Sequence, residues 1–151
     1  MIADSASLDA ARKNWSGVEA LREKLNVSAF SAVGVVGGTF PFSLADAAHN
    51  VPLLHAFSVL NDVLAQLASE GHFSCKSHFL GALVAKSANQ LPWRDVESVK
   101  SGIKDRNRVA HLGVMLSRCT CWKHIDTIKL ELTQFGILQC SEPSNAPESP
   151  S

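Results

Sequence analysis

The chain has 151 residues, 46% of them hydrophobic and 19% charged, and its formal net charge is zero. That is enough chain and enough apolar surface for one domain with its own core, which excludes an intrinsically disordered protein. A neutral total also excludes binding of nucleic acid by overall basicity, although the charge is unevenly spread.

Between Lys24 and Lys76 there is no Lys or Arg, only Asp46, Asp62 and Glu70. From Arg94 to Lys129, eight bases (Arg94, Lys100, Lys104, Arg106, Arg108, Arg118, Lys123, Lys129) face four acids (Asp95, Glu97, Asp105, Asp126), so a phosphate-bearing partner is sought in the second half. The opening Met1-Ile2-Ala3-Asp4-Ser5 has no basic stretch followed by an apolar run, and no signal peptide is expected. The most apolar window, residues 30–42, is shorter than the roughly 20 residues that span a bilayer and is broken by glycines and Pro41, so a soluble chain is expected. Four cysteines (Cys75, Cys119, Cys121, Cys140) without disulfide-scaffold spacing fit a reducing cytoplasm.

In chain order, Leu8, Ala11, Trp15, Val18, Leu21 and Leu25 recur every three or four positions, which predicts an amphipathic helix with Ser7 as N-cap. Residues 27–50 are too glycine-rich for a stable helix and read as an irregular connection holding one short helix at most. Their Val33-Gly34-Val35-Val36-Gly37-Gly38-Thr39 run lacks the Gly-Lys-Ser/Thr ending of a phosphate-binding loop. Pro52 sits where a first-turn proline belongs, and Leu53, Phe57, Leu60, Leu64 and Leu67 follow in three-four alternation up to Gly71. A third helix is expected over 74–89, with Phe79, Leu80, Leu83 and Val84 as its apolar face and Gly81 as a close-packing point. A fourth begins at Pro92 with the stripe Val96, Val99, Ile103, then 106/107 and Ala110. A fifth, from about Thr120, carries Cys121, Ile125, Ile128, Leu132 and Phe135 and ends at Gly136. These elements give an all-α fold, an up-and-down bundle of about four core helices plus an N-terminal helix, in one domain over residues 1–140. Residues 141–151, rich in Ser, Pro and Glu, read as a disordered tail.

The stretch Asp105-Arg106-Asn107-Arg108-Val109-Ala110-His111-Leu112-Gly113 gathers two arginines, an amide and an imidazole where the fourth helix runs out. On a wheel of about 100° per residue with Val96 at zero, the apolar stripe centres near 330°, Arg106 falls at about 280°, Asn107 at about 20° and His111 at about 60°. Arg108 points away at about 120°. Arg106 and His111 are then about 140° apart, on the two shoulders of the groove where another helix docks. For both to act on one phosphate, either the helix bends near His111 or a second copy of the motif comes up against the first, as in a symmetric dimer.

An Arg, a following Asn, three further residues and a His, with Ala before the His and Gly two beyond it near the end of a long helix, resemble the signature of the HEPN superfamily. The resemblance covers residues 52–135 in element order, and the short motif is its specific part. It implies a four-helix bundle, usually a homodimer, whose motif lines a cleft and commonly works as a metal-independent endoribonuclease. It further implies a toxin or an antiviral-defence effector held in check by an antitoxin or neighbouring regulatory protein, although some members keep the fold without the activity. The residues that carry over are Arg106, Asn107 and His111.

The chemistry also follows from the residues. In RNA a 2′-hydroxyl lies beside each phosphate, and its attack cuts the chain if its proton is removed and the charge on phosphorus is stabilised. His111 suits the general acid or base, Arg106 the clamp on the non-bridging oxygens, and Asn107 can orient the imidazole or bond a phosphate oxygen. No metal or cofactor is needed, and the products are a 2′,3′-cyclic phosphate and a 5′-hydroxyl. Lys100, Lys104, Arg118 and Lys123 are candidate RNA contacts, or simply a solvated basic face. The alternative function is a non-catalytic helical module that binds RNA or a partner protein, or that dimerises through the motif.

Other groups carry weaker signals. Cys119, Cys121, His124 and Cys140 offer zinc-binding side chains, but Cys-x-Cys sets two thiols on nearly opposite sides of a helix, and buried apolar cysteines fit better. His49, His55, His72 and His78 have no ligand spacing and read as surface or cap residues. Trp15, Trp93 and Trp122 read as core or interface anchors on different helices rather than a stacking platform.

Overall fold

The computed structural model describes residues 1–32 and 47–139. Among them are five helices and no strand, so the chain is an all-helical bundle. The helices are α1 (Ser5–Ala32), α2 (Asn50–Ser69), α3 (Leu80–Ser87), α4 (Val96–Leu112) and α5 (Arg118–Gln134). The glycine-rich stretch before Asp46 and the Ser/Pro tail lie outside the described residues.

The bundle is built around α2, which packs against all four other helices. Its Leu53, Phe57, Leu60, Leu64 and Leu67 are each at most 1% exposed. Side chains of this kind contribute about 1.5–3 kcal/mol each when fully buried, which makes this stripe the main apolar anchor of the fold. By length and composition α2 could cross a membrane, but half of that window is buried against its neighbours. Pro52 falls on the third residue of the helix rather than the first, which costs little because first-turn N–H groups have no intrahelical acceptor. Gly71, at φ +84, ends the element as expected.

Several helices start elsewhere than the sequence suggests. Ser7 is not the cap of α1, because the Asp4 carboxylate accepts from both the backbone N–H and the hydroxyl of Ser7. These bonds, the side-chain one first, hold the Asp4 carboxyl below its ordinary value. The fourth helix starts at Val96, not Pro92, with Asp95 as N-cap accepting from the Ser98 N–H at 3.0 Å. The four preceding residues stay out of the helix because the buried Glu131 carboxylate takes the N–H groups of Arg94 (2.8 Å) and Asp95 (2.7 Å). α5 begins at Arg118, two residues early, with Ser117 accepting from the Thr120 N–H.

α3 is shorter than expected. Ser77 Oγ accepts from the Phe79 N–H at 3.2 Å and the Ser77 carbonyl from Cys75 Sγ at 3.3 Å, local bonds that compete with a helix over 74–79. Phe79, expected in the apolar face, is 82% exposed, while Leu83 and Val84 are buried as expected. Nothing approaches within 4 Å of a Cβ built on Gly81, so the close packing assigned to it is absent. It occurs instead at Gly102, where such a Cβ would lie 2.8 Å from Phe57 Cζ and 2.9 Å from His124 Nδ1. α4 and α5 run antiparallel, since Glu131 meets the start of α4 and His124 meets Asp105.

Candidate functional site

Arg106, Asn107 and His111 occupy the last two turns of α4, which remains helical to Leu112 and closes on Gly113 at φ +65. The Gly113 N–H and the Val114 N–H (3.3 Å) both reach the Arg108 carbonyl, so the helix stops after His111 and does not break before it. The buried positions are Val99, Gly102, Ile103 and Val109. Ala110, expected in the stripe, is exposed, and so are Asn107, Arg108, His111, Leu112 and Gly113. The last turn thus has Val109 as its one buried side chain, and the buried stripe swings towards Arg106.

Arg106 is half-buried in that stripe. Its Nη1 donates to Asn107 Oδ1 at 3.0 Å, while its Nε is buried without a hydrogen-bond partner. A guanidinium is a rigid planar fork of donors, so its Nε edge is left unengaged. Asn107 is therefore coupled to Arg106, and it stands with His111 on the solvent face rather than on a groove shoulder. Arg106 and His111 remain about 140° apart on one unbroken helix. Arg108 turns outward as expected and pairs with Asp105 at 3.4 Å.

Lys100 and Lys104 lie along the same solvent ridge as Asn107 and His111, at about 40° and 80° on the wheel. Lys100 pairs with Glu97 at 2.6 Å. Arg118 and Lys123 belong to α5 and are engaged differently. Arg118 stands over the Trp122 ring at 5.4 Å, beside Arg22 at 4.3 Å, while the Asp95 carboxyl is held low first by the Ser98 hydroxyl and least by the charge of Lys123.

Two buried polar pairs beside the motif were not foreseen. His124 Nε2 lies 3.0 Å from Asp105 Oδ2, with the imidazole only 8% exposed. The Asn50 side chain donates to the Leu116 carbonyl and accepts from the Leu116 N–H, both at 3.0 Å and both buried. One signal for the first was present, since residue 124 follows Cys121 and precedes Ile128 on the apolar stripe of α5. Asn50 gave no such signal.

The zinc-type side chains are separated: Cys119 is exposed, Cys121 is buried, and His124 is committed to Asp105. Cys140 lies outside the described residues. His49 stands at the N-cap position of α2, as the cap reading allows, but it is fully buried rather than on the surface, and its Nδ1 accepts from the Trp122 indole at 3.1 Å. Trp15 is a core residue at 2% exposure, and Trp93 packs on Phe135 from the segment before α4, not from a helix. Comparison of the chain with protein-family models, with curated proteins and with solved structures finds no match.

Proposed function

We propose that the chain is a HEPN-like, metal-independent endoribonuclease that works as a homodimer, with Arg106, Asn107 and His111 at its site. The observation that carries this reading is the guanidinium of Arg106, half-buried, braced at Nη1 by Asn107 and without a partner at Nε. Buried polar groups are rarely left unpaired, and a guanidinium with a donor still unpaired suits the non-bridging oxygens of a phosphate. His111 takes the proton of the RNA 2′-hydroxyl as that oxygen bonds to phosphorus and the bond to the 5′-oxygen breaks. The leaving oxygen gains a proton, and the products are a 2′,3′-cyclic phosphate and a 5′-hydroxyl.

A second subunit is part of the reading because α4 carries Arg106 and His111 on different faces without a bend. Its last turn, exposed from Ala110 to Gly113 with Leu112 73% exposed, gives a second copy room to approach. The same exposed Leu112 favours a second reading, a dimerisation or binding module without turnover. A cytoplasmic toxin or defence effector, restrained by a neighbouring protein, is what the motif's resemblance adds to the first reading.

The test is RNA cleavage in chelator, with product ends identified. His111→Ala and Arg106→Ala should each lower the rate by about 10²–10⁴-fold. Mixing the two inactive variants should restore part of the activity, because a mixed dimer regains one site with both side chains intact. A His111→Ala chain that cuts as fast as its parent ends the nuclease reading. Salt-sensitive RNA binding by the parent with no products favours the second.

A further inference from the structure

We infer that His124 and Asn50 are positioning residues that hold the motif segment in one conformation from its two ends, an inference that rests on the reading of Arg106 and His111 as a site. The segment needs such a device. From Asn107 to Gly113 only Val109 is buried, so apolar packing contributes little to fixing this turn. Loosely packed helix ends fray.

At the near end, Asp105 directly precedes Arg106, and its carboxylate is fixed by His124 Nε2 at 3.0 Å on one oxygen and by Arg108 at 3.4 Å on the other. The imidazole sits in a slot that residue 102 leaves free by having no side chain. At the far end, three residues past Gly113, the Asn50 amide pairs with both backbone groups of Leu116, and its Nδ2 also reaches the Ala47 carbonyl at 3.1 Å. Asn50 is 3% exposed and His124 7%. Each clamp reaches the segment from another helix, α5 in one case and the start of α2 in the other. Neither His124 nor Asn50 belongs to the trio, so they act through the backbone that carries it.

The experiment compares His124→Ala, His124→Gln and Asn50→Ala with the parent by amide hydrogen exchange, together with kcat and KM on RNA. Glutamine keeps an N–H near the position of the imidazole Nε2. With His124→Ala or Asn50→Ala, amides 106–116 should exchange on the order of tenfold faster than any change in the α2 core accounts for, and His124→Gln should restore most of the protection. If the parent cleaves RNA, kcat should fall on the order of tenfold in the alanine variants with KM little changed, because the geometry of the motif is disturbed and its charges are not. Exchange in 106–116 that only tracks global stability overturns the inference, whether or not the parent is a nuclease. Local loosening with kcat unchanged overturns it as well. A parent that cleaves nothing defeats the ribonuclease reading alone, and the exchange data still decide for or against the two clamps.

Discussion

Gly102 on α4 stands so close to His124 on α5 that a Cβ added to it would lie 2.9 Å from the imidazole Nδ1 and 2.8 Å from Phe57 Cζ. Two backbone-side chain surfaces meet there with no space for a methyl group. Alanine in a helix interior normally gains about 1 kcal/mol over glycine, but overpacking of a tight core costs about 1–3 kcal/mol. Gly102→Ala should therefore be destabilising and should weaken the His124–Asp105 bond. Gly81→Ala, which meets nothing within 4 Å on α3, should stabilise by about 0.5–1 kcal/mol. Urea unfolding of the two variants checks the pair, and a stabilising Gly102→Ala would mean that the ring has room to move.

Glu131 is 1% exposed and accepts two backbone N–H groups just ahead of α4. Glu131→Ala should cost about 2–4 kcal/mol, since two amides lose a charged acceptor and a cavity opens. Glu131→Gln keeps one acceptor oxygen and turns the other position into a donor facing an N–H, so it should recover only part of that loss. Thermal unfolding orders the three proteins, and equal stability of Gln and Glu at this site would contradict the double-acceptor role.

Acid sensitivity follows from three carboxylates. Asp95 is held low first by the Ser98 hydroxyl, Glu70 by the Ala3 N–H, and Asp4 by the Ser7 hydroxyl. A carboxyl whose folded pKa is depressed stabilises the fold above its unfolded value and loses that contribution as pH falls through the folded one. Stability should therefore hold from neutral pH to the ordinary carboxylate range near pH 4 and decline below it. Unfolding in denaturant at stepped pH measures the slope. Asp95→Asn should flatten it, and an unchanged slope in that variant would remove Asp95 from the account.

The periodic part of this fold was legible in the chain. The α2 stripe, the α5 stripe and the helical ends at Gly71 and Gly136 follow from apolar spacing and from the φ that only glycine adopts easily. Helix starts were less legible because rival caps stand close together. Pro92 and Asp95 both suit a first turn, and the choice is made by Glu131, a residue of another helix. Arg106, Asn107 and His111 were placed correctly on the end of α4. Their surroundings were not, because Ala110 has an apolar side chain at an apolar position of the wheel and is nonetheless exposed. The His124–Asp105 and Asn50–Leu116 pairs depend on how helices meet, and a single helical wheel carries no trace of that.

The role proposed for Arg106 sets function against stability. Its Nε is buried without a partner, an arrangement that costs about 1–3 kcal/mol in an ordinary fold. Replacing a group of this kind with an apolar one of similar length removes the unpaired donor and keeps the packing of the stem. Arg106→Met should therefore leave the isolated fold unchanged or stabilise it by about 1 kcal/mol, while abolishing RNA cleavage and weakening phosphate binding. Arg106→Lys keeps the charge but not the planar fork, so it should retain some binding and little turnover. Chemical denaturation and cleavage rates on the same three proteins give the answer. An Arg106→Met chain that unfolds several kcal/mol more easily would assign the guanidinium to the structure of α4. A more stable and inactive chain is what a residue kept for an anion predicts, because the donor that the fold leaves unpaired is then engaged by the phosphate.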